Sequence, residues 1–343
     1  MAGFSDIVGH KQIIAHMRGA IAHDKVSHAY ILNGPKLSGK RTLADAFAMT
    51  LQCEQKGTDP CGTCHSCRQA MSRNHPDIIY VTHEKPNTIS VDDIRSQLNG
   101  DIAIKPYSGP YKIYIIADAE KMNAAAQNAL LKTIEEPPSY GIILLLTTNA
   151  DLFLPTIRSR CITLNLSAVP DQELRSYLIR QIQVPDYQAD FCASFAQGNV
   201  GKAIRLASGD SFPAMKDSLV RLIQKIHSMA LWEITDVMKE LAVYKPGGKE
   251  AKDGEDSEVL TIGDYLDLLT MWYRDVLLYK ASADRNHLIF ADELTTIKKE
   301  SAASSYAGLM RIFSAISTAR QRLAFNVNFD LTMELLLLTM KEN

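Results

Sequence analysis

A parallel α/β domain followed by an all-α second half is the fold class that this sequence predicts, and three observations carry it. Short apolar, β-branched runs alternate with helical segments up to about residue 166. A glycine-containing loop, GPKLSGKR, stands between the first of those runs and an alanine-rich helix. From Pro170 onward the strand-like runs disappear and apolar residues recur at helical period.

Phe4 to Gly9 leads into a helix predicted over about Lys11–Ala22. His28–Asn33, HAYILN, reads as the first strand, and the glycine loop and the helix TLADAFAMTLQ follow it. Asp77–Thr82, DIIYVT, is a second strand, and Ser90 can cap a short helix, VDDIRSQL. The domain is organised around Lys112–Pro138, KIYIIADAEKMNAAAQNALLKTIEEPP. Its run Ile113–Ala117 has the composition of a buried parallel strand and ends in acid at Asp118 and Glu120. Asn123 can cap the next helix, which carries Ala126, Leu130 and Ile134 on one face and stops at Pro137 and Pro138. Gly141–Thr148, GIILLLTT, and Cys161–Leu166, CITLNL, complete a sheet with helices on both faces.

Beyond that sheet, Gln172–Gln183 and Gln188–Gln197 read as helices. Gly198–Gly201 reads as a break, and a third helix begins at Lys202. The domains expected are therefore 1–166, a three-helix unit at 167–209, and a helical domain at 210–343. Within the last, Pro246–Glu258 is glycine-rich and charged with no apolar face, and is expected to be a surface loop. Asn326-Val327-Asn328 marks a turn before a strongly apolar final helix.

Composition excludes several classes. The 343 residues are 46% hydrophobic and 22% charged, as in ordinary globular domains. With 37 basic and 39 acidic residues, no overall field draws the chain to nucleic acid or membrane. The sequence MAGFSDIVGHKQ lacks a signal peptide's basic start and apolar core, and runs such as Leu335–Leu338 are too short to span a bilayer. A cytoplasmic protein with no membrane partner is expected.

Strand, glycine loop and helix are the context of a phosphate-binding loop. Gly34 and Gly39 let backbone N–H groups turn toward an anion, and Lys40 adds a full charge to the helix N-terminus. The residue after the lysine should be Ser or Thr, whose hydroxyl ligates magnesium. Here it is Arg41, which has donors and no acceptor. Thr42 lies about 100° further round the helix and substitutes poorly. The loop is equipped to hold phosphate and ill-equipped to hold its magnesium, so binding of ATP with Mg²⁺ is doubtful.

Four of the six cysteines, Cys53, Cys61, Cys64 and Cys67, fall within residues 53–67. Disulfides are disfavoured in the cytosol, and four closely spaced thiolates suit a closed tetrahedral zinc site with a structural role. Unrelated thiols and an iron–sulfur cluster are the alternatives, the latter weakened because no Cys-Pro follows. His65 lies inside the C-x-x-C arm and is expected to point to solvent.

Together these pieces resemble the clamp-loader AAA+ proteins of bacterial DNA polymerase III. The residues that carry the resemblance are FSDIVGH, HAYILNGPKLSGK, the four-cysteine module, NALLKTIEEPP, TIRSRC at Thr156–Cys161, and LAFNVNFDLTMELLLL. It spans nearly the whole chain. The resemblance implies an AAA+ domain, a three-helix lid and a helical collar in a five-subunit ring. That ring contains gamma/tau motor subunits and a delta subunit, and it loads a sliding clamp onto primed DNA.

The family contains motors that hydrolyse ATP and a delta-prime class, commonly inert. Motors end the central strand in Asp-Glu, the Asp holding magnesium and the Glu activating water. Counting back from Asn128 places Ala117 at the Asp position and Asp118 at the Glu position. A similar count places Gly201 where motors carry the second sensor arginine of the lid. Arg41, Ala117 and Gly201 thus all depart from the ATPase pattern. Ser159 and Arg160 match, and the resemblance implies that Arg160 reaches the ATP of a neighbouring motor, where such fingers can be worth about 10³–10⁵ in rate. A surface salt bridge is the alternative role for Arg160; Arg158 lies outside the matching position.

The expectation is a non-hydrolysing subunit that braces the ring and supplies Arg160 in trans. A working ATPase of the same family is the alternative, opposed by Arg41 and Ala117. A zinc-dependent DNA-binding module is weaker still, because CGTCHSCRQ offers only Arg68, flanked by Lys56 and Arg73.

Overall fold

A computed structural model describes residues 3–83, 85, 87–208, 211–245, 260–283, 285 and 287–343. The segment Pro246–Glu258, expected to be a surface loop, lies outside the described residues. The chain divides into two compact units, Met1–Leu174 with Gly198–Lys202, and Arg175–Gln197 with Ala203–Asn343.

The first unit opens with α1 (Lys11–Ala22), β1 (Ala29–Asn33), α2 (Lys40–Gln52) and α3 (His65–Met71). Next come β2 (Ile78–Val81), α4 (Val91–Ile94), β3 (Lys112–Ile116), α5 (Ala124–Glu135), β4 (Gly141–Thr147), α6 (Pro155–Arg158) and β5 (Ile162–Asn165). The five strands form one parallel sheet in the order β2-β3-β4-β1-β5. Register pairs Ile31 with Leu145 on one side and with Thr163 on the other. Alternation then splits the apolar runs between two cores. Tyr30, Leu32, Ile113, Ile115 and Leu144 meet α1 and α2, whereas Ile31, Tyr114, Ile116 and Leu145 meet α5.

Local chemistry explains the helices. From Leu43 to Gln52 every residue of α2 is buried, which is why it is rich in alanine and leucine. The Asn123 side chain accepts the Ala126 N–H at 2.8 Å to start α5. Ala126, Leu130 and Ile134 are buried, each large one stabilising the fold by about 1.5–3 kcal/mol. The helix ends at Glu135, just before the two prolines.

The expected break at Gly198–Gly201 is shorter than its glycines suggest. Asn199 accepts the Lys202 N–H at 3.0 Å, so α9 (Val200–Ser208) begins before Gly201. An asparagine cap starts the helix early and places Gly201 in its first turn.

α7 (Asp171–Tyr177) and α8 (Asp186–Ala196) precede α9 in the chain. The second unit continues with α10 (Ser211–Lys225), α11 (Leu231–Leu241), α12 (Ile262–Ser282), α13 (Leu294–Ala303), α14 (Tyr306–Ala324) and α15 (Phe329–Glu342). Its core is centred on α12, where Tyr265, Trp272 and Tyr273 are fully buried. The Asp275 carboxylate accepts the Ile289 and Phe290 N–H groups at 2.7 and 2.8 Å, tying the chain before α13 to α12. Among the described residues, no helix is long and apolar enough to cross a membrane.

Candidate functional site

The glycine loop runs from the end of β1 to the start of α2. Gly39 has φ +90°, a conformation that costs a residue with a Cβ, and it is the N-cap of α2. Leu37 also adopts positive φ, at +61°. Lys40 is buried, and its ammonium donates to the carbonyls of Gly34 and Pro35, both at 2.7 Å. The structure therefore brings Gly34, Gly39 and Lys40 together at one helix N-terminus.

The outer side of this loop is held by the rest of the first unit. Gly201 donates its N–H to the Leu37 carbonyl at 2.8 Å, and the Asn199 amide donates to the Lys36 carbonyl at 2.7 Å. The His10 ring lies 3.1 Å from the Ser38 carbonyl through Nε2. That bond makes Nε2 the donor, and burial lowers the His10 pKa.

Arg41 reaches toward β2. Its guanidinium stands 5.6 Å from the centre of the Tyr80 ring, and the Tyr80 hydroxyl donates to the Asp45 carboxylate at 2.9 Å. Burial raises the Asp45 pKa, and the nearby charges of Arg41 and Arg73 partly offset the rise. Thr42 is exposed.

At the end of β3, Ala117 contributes only a methyl group. Asp118 has positive φ, 46°, and its carboxylate pairs with Lys121 at 2.7 Å. Glu120 accepts the Thr148 hydroxyl at 2.6 Å, joining the ends of β3 and β4. That pair was missed in the sequence, although both strand ends read as polar.

Arg160 is exposed where α6 passes into β5. It reaches Glu135 at 3.1 Å and the Thr156 carbonyl at 3.0 Å, while the Ser159 hydroxyl donates to Thr156 at 3.1 Å. Arg158 pairs separately with Asp151 at 2.9 Å. A half-exposed pair of this kind holds its partners by roughly 0–1 kcal/mol, so Arg160 can be redirected at low cost.

The four cysteines form a second centre. The Sγ atoms of Cys53, Cys61, Cys64 and Cys67 all lie within 4.8 Å of one another. The Cys61 and Cys67 sulfurs are 3.9 Å apart, close to the spacing of about 3.8 Å that four bonds of 2.3 Å to one tetrahedral zinc require. Backbone N–H groups point at the sulfurs: Cys61 toward Cys53 at 3.5 Å, Cys64 toward Cys61 and Cys67 toward Cys64 at 3.4 Å. The Thr63 and Cys64 N–H groups lower the Cys61 pKa to about 6, whereas burial raises that of Cys67. His65 is exposed and stands outside the set. Four converging sulfurs could hold a metal ion that prefers thiolate, such as zinc.

Comparison with known proteins places these features. The family model "DNA polymerase III, delta subunit" matches residues 9–170, and "DNA polymerase III, delta subunit, C terminal" matches 255–342. DNA polymerase III subunit delta' of Bacillus subtilis is 30% identical over 335 residues, covering 96% of each chain. DNA polymerase III subunit tau of Bacillus subtilis is 29% identical over 81% of this chain and 50% of its own length. Among solved structures, a DNA polymerase III gamma subunit-related protein from Thermotoga maritima is 21% identical with a TM-score of 0.41, covering 96% of this chain and 98% of its own. With both its sheet domain and its helical C-terminal region matched, the chain belongs to the delta-prime and gamma/tau family of DNA polymerase III clamp-loader subunits, AAA+ proteins by fold.

Proposed function

We propose that this chain is the non-hydrolysing delta-prime subunit of a cytoplasmic clamp loader, bracing a ring of motor and delta subunits and lending it Arg160. The observation that carries the reading is the set of three substituted ATPase positions around the glycine loop. Arg41 stands over Tyr80 with the Asp45 charge nearby, Ala117 has no side-chain oxygen, and Gly201 has no side chain. A magnesium ion loses two ligands at once, and the lid loses the cation that would sense the nucleotide.

Arg160 supports the second half of the reading. It is exposed and held by a weak pair with Glu135, so a neighbour's nucleotide can draw it away. There a guanidinium stabilises the charge that develops on a departing phosphate. In the second unit, Leu231 and Trp232 on α11 and Leu331 and Leu335 on α15 are exposed apolar side chains on two helices in contact. Exposed apolar side chains of this kind fit a collar that packs against other subunits. The domain division 1–166, 167–209 and 210–343 into AAA+ domain, lid and collar belongs to this proposal. So does a structural zinc held by Cys53, Cys61, Cys64 and Cys67, where the metal supplies a cross-link and no open position for chemistry.

The test is DNA-stimulated ATP turnover in a ring rebuilt with motor and delta subunits, comparing the native chain with Arg160→Ala. The isolated chain is assayed beside it. No turnover alone, with a large loss in the normally assembled mutant ring, is the expected result. Turnover by the isolated chain overturns the non-hydrolysing role. Full turnover in the mutant ring leaves Arg160 as the partner of Glu135.

A further inference from the structure

The cysteine module is joined by buried hydrogen bonds to a loop that exposes two large apolar side chains. Ile104 is 62% and Tyr107 is 89% exposed, on the chain between α4 and β3. The loop is nonetheless pinned at its base. Asp77, only 1% exposed, accepts the backbone N–H groups of Tyr107, Ser108 and Gly109 at 2.6, 2.7 and 2.9 Å. It also accepts the Ser108 hydroxyl at 3.1 Å. One buried carboxylate thus orders three consecutive loop amides.

From Asp77 the connection runs straight to the cysteines. The Asp77 N–H donates to His75 Nδ1 at 3.1 Å, which leaves the ring proton on Nε2. Nε2 donates to the Ser66 hydroxyl at 3.1 Å, and that hydroxyl donates to the Gln52 carbonyl at 2.7 Å. Ser66 is the residue before Cys67, and Gln52 is the residue before Cys53. A second arm starts from Gln52 itself, whose amide donates to the Tyr111 carbonyl at 2.6 Å. Its Oε1 lies so close to the loop that a Cβ on Gly109 would stand 1.8 Å from it. Both arms leave the module one residue from a cysteine and end on the same loop.

We propose that the cysteine module and the 104–111 loop form one mechanical unit, in which metal held by the four sulfurs sets how firmly Ile104 and Tyr107 are presented. The inference rests on reading the cluster as a metal centre. The Ser66–Gln52 hydrogen bond aligns the two arms, and a metal held by the adjacent Cys67 and Cys53 would brace it. Without the metal the module is held by the Ser66 bonds to Gln52 and Glu54 and by the long N–H···S contacts. Satisfied buried networks of this kind are stiff, and one missing member releases the rest.

The experiment is amide hydrogen exchange on the full chain, zinc-loaded and chelator-stripped, with bound zinc counted in each sample. Exchange at Tyr107, Ser108 and Gly109 is expected to rise about tenfold on stripping, corresponding to loss of roughly one hydrogen bond's worth of protection. Ile113–Ile116 of β3 should hold steady. Ser66→Ala should keep one zinc and show the same loosening; where it loses zinc, His75→Ala, outside the module, takes its place. A chain that binds no zinc overturns the metal reading and this proposal with it. One zinc bound, with equal exchange at 107–109 in all samples, overturns the coupling alone.

Discussion

Gly201 and Leu37 meet backbone to backbone: the Gly201 N–H donates to the Leu37 carbonyl at 2.8 Å, and a Cβ on Gly201 would stand 2.6 Å from that oxygen. A side chain at Gly201 needs Leu37 to move. Gly201→Ala should therefore destabilise the first unit by about 1–3 kcal/mol, the usual cost of overpacking. Urea denaturation checks this, and a midpoint equal to that of the native chain would refute it.

The Arg41 guanidinium stands over the Tyr80 ring, 5.6 Å from its centre. Arg41→Ser introduces a hydroxyl but removes the cation from beside Tyr80 and Asp45. Stability should fall by about 1 kcal/mol. Magnesium-dependent ATP binding, measured by calorimetry, should not appear, because Ala117 still offers no ligand. Its appearance would make Arg41 the sole block.

The pair Arg160–Glu135 is exposed, so Arg160→Ala and Glu135→Ala should each change the stability of the isolated chain by less than about 1 kcal/mol. In the rebuilt ring, Arg160→Lys should fail like Arg160→Ala, because an ammonium lacks the planar fork. Recovery of turnover by the lysine variant would mean that only a positive charge is needed.

Replacing Cys64 by Ser takes one donor from the four-sulfur set. Zinc content should fall from one per chain toward none, and the melting temperature should fall with it. An unchanged zinc content would remove Cys64 from the ligand set.

Burial lowers the pKa values of His10, His28 and His75 from 6.5. Between those folded values and 6.5 the unfolded chain binds more protons, so stability rises with pH in that window. Acidification from pH 7.5 to 5.5 should lower the denaturation midpoint. His75→Gln should be less stable at pH 7.5 and show a shallower pH slope. An equal slope would place His75 outside the effect.

Much of this protein was legible along the chain, because its determinants are local. The run Ile113–Ala117, the Asn123 cap and the paired prolines each act within a few residues, so β3 and α5 lie where periodicity puts them. The spacing of Cys61, Cys64 and Cys67 likewise brings three sulfurs to one end of a short helix, and Cys53 follows from its nearness in sequence. The proposed departures from the ATPase pattern at Arg41, Ala117 and Gly201 rest on a count from residues that match the family.

What each departure does in space was decided by the tertiary structure. Asn199 and Lys36 are 163 residues apart, and only the folded unit makes the Asn199 segment a clasp on the glycine loop. Arg41 finds Tyr80 because β2 lies in the same sheet as β1, on the far side of β3 and β4. Ser66, His75 and Asp77 look like unrelated polar residues in the chain, since hydrogen bonding depends on distance and direction that sequence does not carry. Sequence alone determined the elements and the identities of the groups available for chemistry. The contacts that redirect those groups arise only when burial forces distant polar atoms to satisfy one another.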